Sequence, residues 1–252
     1  MNIIAIANGA GSAGKSATAA ALAHLEAQAG RRVLVIDADG QATVTSWLGA
    51  EPSEDTIARV FDRTAQLVDL VQPTAVDNVE VVPASDVLDE AMTRIVGPGR
   101  EVRLRAALAK TTDWDTVIID CPGSISLITI AALVASTHVV SVTQPSTKEI
   151  GGIPRLQAPI TDLAEIALNP DAHLAAIVPC VVPSRAGNIY DEALSMLAQV
   201  YGDLVTPTVR RTAKVAESLH EGLPVTEWVP SAGVAEDYRA VHANLVEKGV
   251  FK

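Results

Sequence analysis

The sequence predicts an α/β fold, a mostly parallel twisted sheet with helices on both faces. Three observations lead there. Short aliphatic runs alternate with longer helical stretches along the chain, the rhythm of strand–helix–strand units. Apolar residues make up 48% and aromatics only 3%, so the core is built of Ala, Val, Ile and Leu, the texture of strands covered on both sides. Residues 9–16 read Gly-Ala-Gly-Ser-Ala-Gly-Lys-Ser directly after Ile3-Ile4-Ala5-Ile6-Ala7, a glycine-rich turn between an apolar strand and a helix.

The first strand is expected at residues 2–7, and an Ala-rich helix at 17–29, closed by Gly30. The second strand, 32–36, carries Val33-Leu34-Val35-Ile36 and runs into Asp37-Ala38-Asp39. Residues 56–71 read as a short helical excursion, 79–83 as a strand and 86–108 as a helix that Gly97-Pro98-Gly99 either breaks or shapes into a loop. Strands follow at 116–119, 138–143 and 175–182, with a short one near 204–206. Helices are expected at 128–135, 153–166, 188–201 and, amphipathic, from 233 to about 248. No internal repeat, low-complexity tract or linker interrupts the pattern, so residues 1–252 are expected to form a single domain.

Composition excludes several classes. A net charge of −11 argues against coating nucleic acid with the whole surface and leaves only a local basic patch for such contact. Cys121 and Cys180 form no C-x-x-C pair, which excludes a Cys-built zinc or iron–sulfur site within one chain; both are expected as buried small apolar residues in a reducing compartment. No basic leader precedes the first strand and no apolar stretch reaches about 18 residues, so a soluble, cytoplasmic protein is expected.

The octapeptide is a complete G-x-x-x-x-G-K-[ST] phosphate-binding loop and places the fold among the P-loop NTPases. Its backbone N–H groups, from Gly9, Ala10, Gly11, Ser12, Ala13 and Gly14 through Lys15, Ser16 and Ala17, form a nest for phosphates. Lys15 neutralises the β- and γ-phosphates, the Ser16 hydroxyl ligates Mg²⁺, and the helix that follows turns its positive end toward them. Asp37 and Asp39 end a buried strand, at the sheet edge where α/β proteins bind ligands. Val117-Ile118-Ile119-Asp120 is likewise an apolar strand ending in an acid, the Walker B pattern that holds Mg²⁺ through water. Candidate metal residues are therefore Ser16, Asp37 and Asp120, with Asp39 placed to orient an attacking water. Each Asp taken alone is equally a strand-end cap.

These residues resemble the ParA/MinD deviant-Walker ATPases. Asp37-Ala38-Asp39-Gly40-Gln41-Ala42-Thr43-Val44-Thr45-Ser46-Trp47-Leu48-Gly49 is similar to the family's D-x-D-P-Q-x-x-x-T-x-x-L-G, with Gly40 in place of proline. Asp120-Cys121-Pro122-Gly123-Ser124 resembles D-x-P-P-S, Gln144-Pro145 matches a strand end, and 209–222 with Pro224-Val225 resembles the late R-x-x-x-x-x-E-A-x-x-x-G-x-P-V region. The resemblance covers essentially the whole chain. It implies an ATPase using ATP and Mg²⁺ that forms a homodimer when ATP-bound, binds non-specific DNA, positions DNA or another large cargo, and has its slow hydrolysis stimulated by a ParB-like or other adaptor.

One departure matters. The family loop is K-G-G-x-G-K-[ST], whose first lysine reaches the partner's phosphates, and here that position is Ala10 while Ser12 replaces a glycine. The resemblance extends to the McdA group, which also lacks that lysine. Lys148, after the strand that ends at Thr143, is the candidate replacement; position alone leaves it equally a solvated lysine. Arg185, Arg210, Arg211 and Lys214 are candidate DNA-backbone contacts, and Arg211 is alternatively a residue of the adenine pocket. With the loop strand at residues 2–7, a protein like the small ParA proteins, without an N-terminal DNA-binding extension, is expected. The tail from Leu245 to Lys252 lacks a sustained basic apolar face, so a solvated helix end and no stable membrane attachment are expected. Two other classes fit the loop: a metabolic ligase resembling dethiobiotin synthetase, and a non-hydrolysing nucleotide-dependent regulator.

Overall fold

The computed structural model describes residues 1–10, 14–183 and 188–252. Its sheet has seven strands in the order β3-β4-β2-β5-β1-β6-β7. These are β1 (Asn2–Ala7), β2 (Val33–Asp37), β3 (Gln72–Pro73), β4 (Val79–Val82), β5 (Thr116–Asp120), β6 (His138–Thr143) and β7 (Leu174–Pro179). All neighbouring pairs are parallel except β3 with β4.

Side chains alternate across each strand, and both faces are buried. Ile4, Ile6, Val33, Val35, Ile118 and Val140 point into one core. Over them pack α1 (Lys15–Gln28), α2 (Thr43–Trp47), α10 (Ala213–His220), α11 (Val225–Trp228) and α12 (Gly233–Glu247). Ile3, Ala5, Leu34, Ile36, Val117 and Ile119 point into the other core. It is covered by α3 (Ala58–Phe61), α4 (Val87–Thr93), α5 (Arg103–Leu108), α6 (Leu127–Ala135), α7 (Thr147–Ile150), α8 (Gly152–Glu165) and α9 (Asn188–Tyr201). Helix α1 is buried almost all round, and its alanines let it lie close to the sheet while α2, α11 and α12 pack over it.

The structure corrects the sequence reading in several places. The helix expected over 86–108 is two helices, α4 and α5, because Gly97 (φ 95°) and Gly99 (φ 68°) turn left-handed around Pro98. The strand expected near 204–206 is a 3₁₀ turn followed by a single bridge from Val205 to Ile177. The last strand ends at Pro179 rather than at 182, since Val181 takes a positive φ of 58°. Within 56–71 only α3 and a 3₁₀ turn at Leu67–Leu70 form. The short elements β3, α2, α7, α10 and α11 were not foreseen.

The C-terminus also differs from expectation. Val250 and Phe251 are buried in the α1/α12 core, with the Phe251 ring 5.3 Å from that of His242. Helix α12 ends too soon to shield that core edge, and the tail folds back to close it. Leu245, Val250 and Phe251 are buried while Val246 stays exposed, and no helix of the described residues is long and apolar enough to cross a membrane. Nearby, buried Glu26 of α1 accepts a hydrogen bond from the Thr116 hydroxyl at 2.9 Å and lies 2.7 Å from His242 Nε2, tying α1, β5 and α12 together. Cys121 and Cys180 are free and buried, as expected.

Candidate active site

The order β2-β5-β1 brings three strand ends together. In register, Asp37 of β2 lies opposite Asp120 of β5, which lies opposite Ile6 of β1. The phosphate loop leaves β1 at this same edge, and α1 begins at Lys15.

The loop is held by its surroundings. Buried Asn8 donates through Nδ2 to the Val142 carbonyl of β6 at 3.0 Å, and the Gly9 N–H donates to the Gly152 carbonyl at 3.2 Å. A Cβ on Gly9 would sit 2.5 Å from that carbonyl oxygen. At the far end, Gly14 has φ 105°, and a Cβ there would lie 2.6 Å from Cys180 Sγ. Both glycines are therefore required, the second also for its left-handed backbone. The Gly14 carbonyl then accepts from the Thr18 N–H at 2.8 Å, starting the first turn of α1. Ala10, Lys15 and Ala17 are buried and Ser16 is half-buried. Gly11, Ser12 and Ala13 lie outside the described residues.

Asp120 is fully buried, and neither carboxylate oxygen meets a donor in hydrogen-bond geometry. Burial and then the Asp37 charge push its pKa well above the usual range; the Ser16 hydroxyl and the Lys15 ammonium approach closely enough to oppose this but do not prevail. Orphaned carboxylate oxygens beside a hydroxyl and an ammonium fit a hydrated Mg²⁺, whose charge would remove the penalty. Asp37 is different. Its oxygens accept from the Asp39 N–H at 3.1 Å, the Thr45 N–H at 3.0 Å and the Thr45 hydroxyl at 2.6 Å. Burial raises its pKa to about 6 against the pull of the Thr45 and Asp39 hydrogen bonds. Asp37 thus shapes the turn that carries Asp39, leaving Ser16 and Asp120 as the better-placed metal residues.

Asp39 is half-buried and accepts from the Gln41 N–H at 3.1 Å. A Cβ on the next residue, Gly40, would come 3.1 Å from Asp89 Oδ2 of α4, the movable end of an exposed side chain. Thr45, Asn8 and Gly152 support the site and were missed by sequence reasoning. Thr45 falls within the recognised segment after β2, while Asn8 and Gly152 depend on contacts between β1, β6 and α8 that carry no local signal.

The remaining candidates belong to other elements than the acid pair. Lys148 is exposed on α7, whose N-cap Ser146 accepts from the Glu149 N–H. Arg210 is engaged by Asp237, with Nε and Nη2 donating at 2.6 and 2.7 Å. Arg211 and Lys214 are exposed, Arg211 in the link to α10 and Lys214 in its first turn. Arg185 lies outside the described residues.

A phosphate loop after β1, a lysine at the helix start and a buried acid on the adjacent strand β5 define a P-loop nucleotide-binding protein. Residues 1–173 match the AAA domain family. The chain is 33% identical over 252 residues to the sporulation initiation inhibitor protein Soj of Bacillus subtilis, covering 98% of this chain and 99% of Soj. It belongs to the ParA/MinD-type P-loop ATPases, as the sequence motifs implied. Among solved structures, an aspartate-to-alanine variant of Cyanothece McdA in complex with ATP superposes with a TM-score of 0.87 at 23% identity, covering 100% of this chain and 98% of that one. Cobyrinic acid a,c-diamide synthase from Mycobacterium smegmatis, with an ATP analogue and magnesium, superposes with a TM-score of 0.84 at 28% identity, covering 98% and 94%.

Proposed function

We propose that this chain is a cytoplasmic, single-domain ParA-like positioning ATPase, whose ATP-bound homodimer binds non-specific DNA and segregates a plasmid, chromosome or other cargo. The supporting observation is the Soj match along 98% of the chain, which includes the acid pair set beside the phosphate loop. Lys15 offsets charge on the β- and γ-phosphates, Ser16 and Asp120 hold Mg²⁺, and Asp39 accepts a hydrogen bond from a water in line with the γ-phosphorus. Water attacks that phosphorus, the bond to the β,γ-bridging oxygen breaks, the water's proton passes to a phosphate oxygen, and ADP and inorganic phosphate leave. Mg²⁺ bound here supplies positive charge to the polyphosphate. ATP adds contacts that favour the dimer, hydrolysis removes them, and a ParB-like or other adaptor speeds the slow turnover. Lys148 provides the charge that Ala10 cannot.

Turnover measured with and without DNA and the neighbouring-gene product tests this reading. Asp39→Ala is expected to keep ATP affinity within about twofold while lowering turnover by about a hundredfold, as for removal of a group used only in the transition state. Equal rates would remove Asp39 from water positioning. The likeness to cobyrinic acid a,c-diamide synthase supports a second reading, an ATP-dependent ligase, which phosphate transfer stimulated by a small carboxylated substrate would favour.

DNA binding should require ATP and weaken with salt, because phosphate contacts release counterions. Arg210 is held by Asp237, so Arg211→Glu and Lys214→Glu should account for most of the loss in the triple variant with Arg210→Glu. Unchanged filter binding by that triple variant at matched salt would exclude the patch.

A further inference from the structure

The opening end of the phosphate loop, Gly9-Ala10, carries no charged side chain, yet a helix is packed against it. Gly152, the first residue of α8, sits on Ala10 so closely that a Cβ would come 2.7 Å from the Ala10 nitrogen. One turn later the Cβ of Arg155 lies 2.6 Å from where a Cβ on Gly9 would be. The stem of Arg155 therefore rests on the first residue of the loop, and the absence of a side chain at Gly9 makes room for it. Arg155 is exposed, with no ion pair or hydrogen bond among the described residues, whereas Arg59, Arg94 and Arg210 each hold a carboxylate. Gly151 is itself helical (φ −61°, ψ −11°), so Lys148, Gly152 and Arg155 follow a continuous i, i+4, i+7 spacing. A cation thus lies about one turn to either side of the glycine seated on the loop.

The closing end of the loop, from Gly14 into α1, supplies the N–H groups that take the inner phosphates. The opening end borders the outermost one. An arginine whose Cβ starts there has the reach to bring a planar fork suited to phosphate oxygens to that end of the loop.

We propose that Arg155 is a specificity-determining residue that contacts the terminal phosphate of a triphosphate held by the loop of its own chain, so that the site distinguishes triphosphate from diphosphate. This rests on the reading of the loop as a nucleotide site. It adds a residue that no part of the loop motif contains.

The test is the affinity for ATPγS and for ADP, each with Mg²⁺, measured by calorimetry on the full chain at concentrations where light scattering shows monomer. Arg155→Ala is expected to weaken ATPγS about tenfold or more and leave ADP within about twofold, the size of a lost charge-assisted hydrogen bond. Arg155→Lys should recover part of the loss. Equal weakening of both nucleotides, or of neither, overturns the proposal. A defect seen only at dimerising concentrations also overturns it, since the arginine would then serve the partner's nucleotide. If wild type binds neither nucleotide, or Lys15→Ala binds as wild type does, it is the nucleotide reading of the loop that fails.

Discussion

Lys15→Ala is expected to abolish measurable ATP turnover and to weaken Mg²⁺–ATP binding by about a hundredfold or more, with a smaller loss for ADP. Lys15 is the lysine of the loop motif, and its side chain is buried at the start of α1. Two charge-assisted contacts, to the β- and γ-phosphates, at about 1.5–3 kcal/mol each, set that scale. The substitution also acts before nucleotide arrives. The Lys15 ammonium is one of the few groups that lower the pKa of Asp120, so its loss leaves that buried acid less compensated and more readily protonated. Part of the defect should therefore appear as weaker Mg²⁺ dependence of the residual binding. Fluorescent-nucleotide titration over a range of Mg²⁺ checks both effects, and wild-type affinity in the variant would remove Lys15 from the phosphate site.

Asp120→Asn is expected to do two opposite things. In metal-free protein at pH 7.5 it should raise the melting temperature, because burial and the neighbouring Asp37 charge make the Asp120 charge a cost that the Ser16 hydroxyl and the Lys15 ammonium do not offset. At this chain length each kcal/mol recovered is worth about 2–4 °C. With Mg²⁺ and ATP present, the variant should lose the metal-dependent rise in melting temperature and nearly all turnover.

The pH dependence follows from the sign of the shifts. Asp37, raised from 3.8 to about 6, binds its proton more tightly folded than unfolded. Its contribution is complete below about pH 4 and is lost as pH rises through about 6, a change on the order of 3 kcal/mol at 1.36 kcal/mol per unit. Asp120, shifted in the same direction, extends that decline upward. Wild type without metal should therefore lose stability from pH 4 toward neutrality, and Asp120→Asn should flatten the upper part of the slope. Denaturation at fixed salt across this range measures it; a variant no more stable than wild type, with an unchanged slope, would show that the Asp120 charge is not a folding cost.

The central strands, the loop and the acids at strand ends were legible in the sequence because each is a local pattern. Val33-Leu34-Val35-Ile36-Asp37 can be read from five neighbours, and Val117-Ile118-Ile119-Asp120 from four. Period-two burial on both faces and the rigid spacing of a phosphate loop leave few alternatives. The sequence by itself therefore determined the fold class and the membership that comparison bears out, and it located the loop motif at Gly9–Ser16.

Other features depend on residues brought together from far apart. That Asp37 faces Asp120 follows from β2 pairing with β5, 83 positions away. Which acid keeps open oxygens was decided by Thr45, whose N–H and hydroxyl occupy Asp37 and leave Asp120 bare. The same holds for Cys180 beneath Gly14, Gly152 and Arg155 against the loop's opening, Asp237 on Arg210, and Val250 and Phe251 folded into the core. Tertiary structure alone decided these points, because desolvation, close packing and charge compensation depend on distance in space, and sequence separation carries no information about that distance.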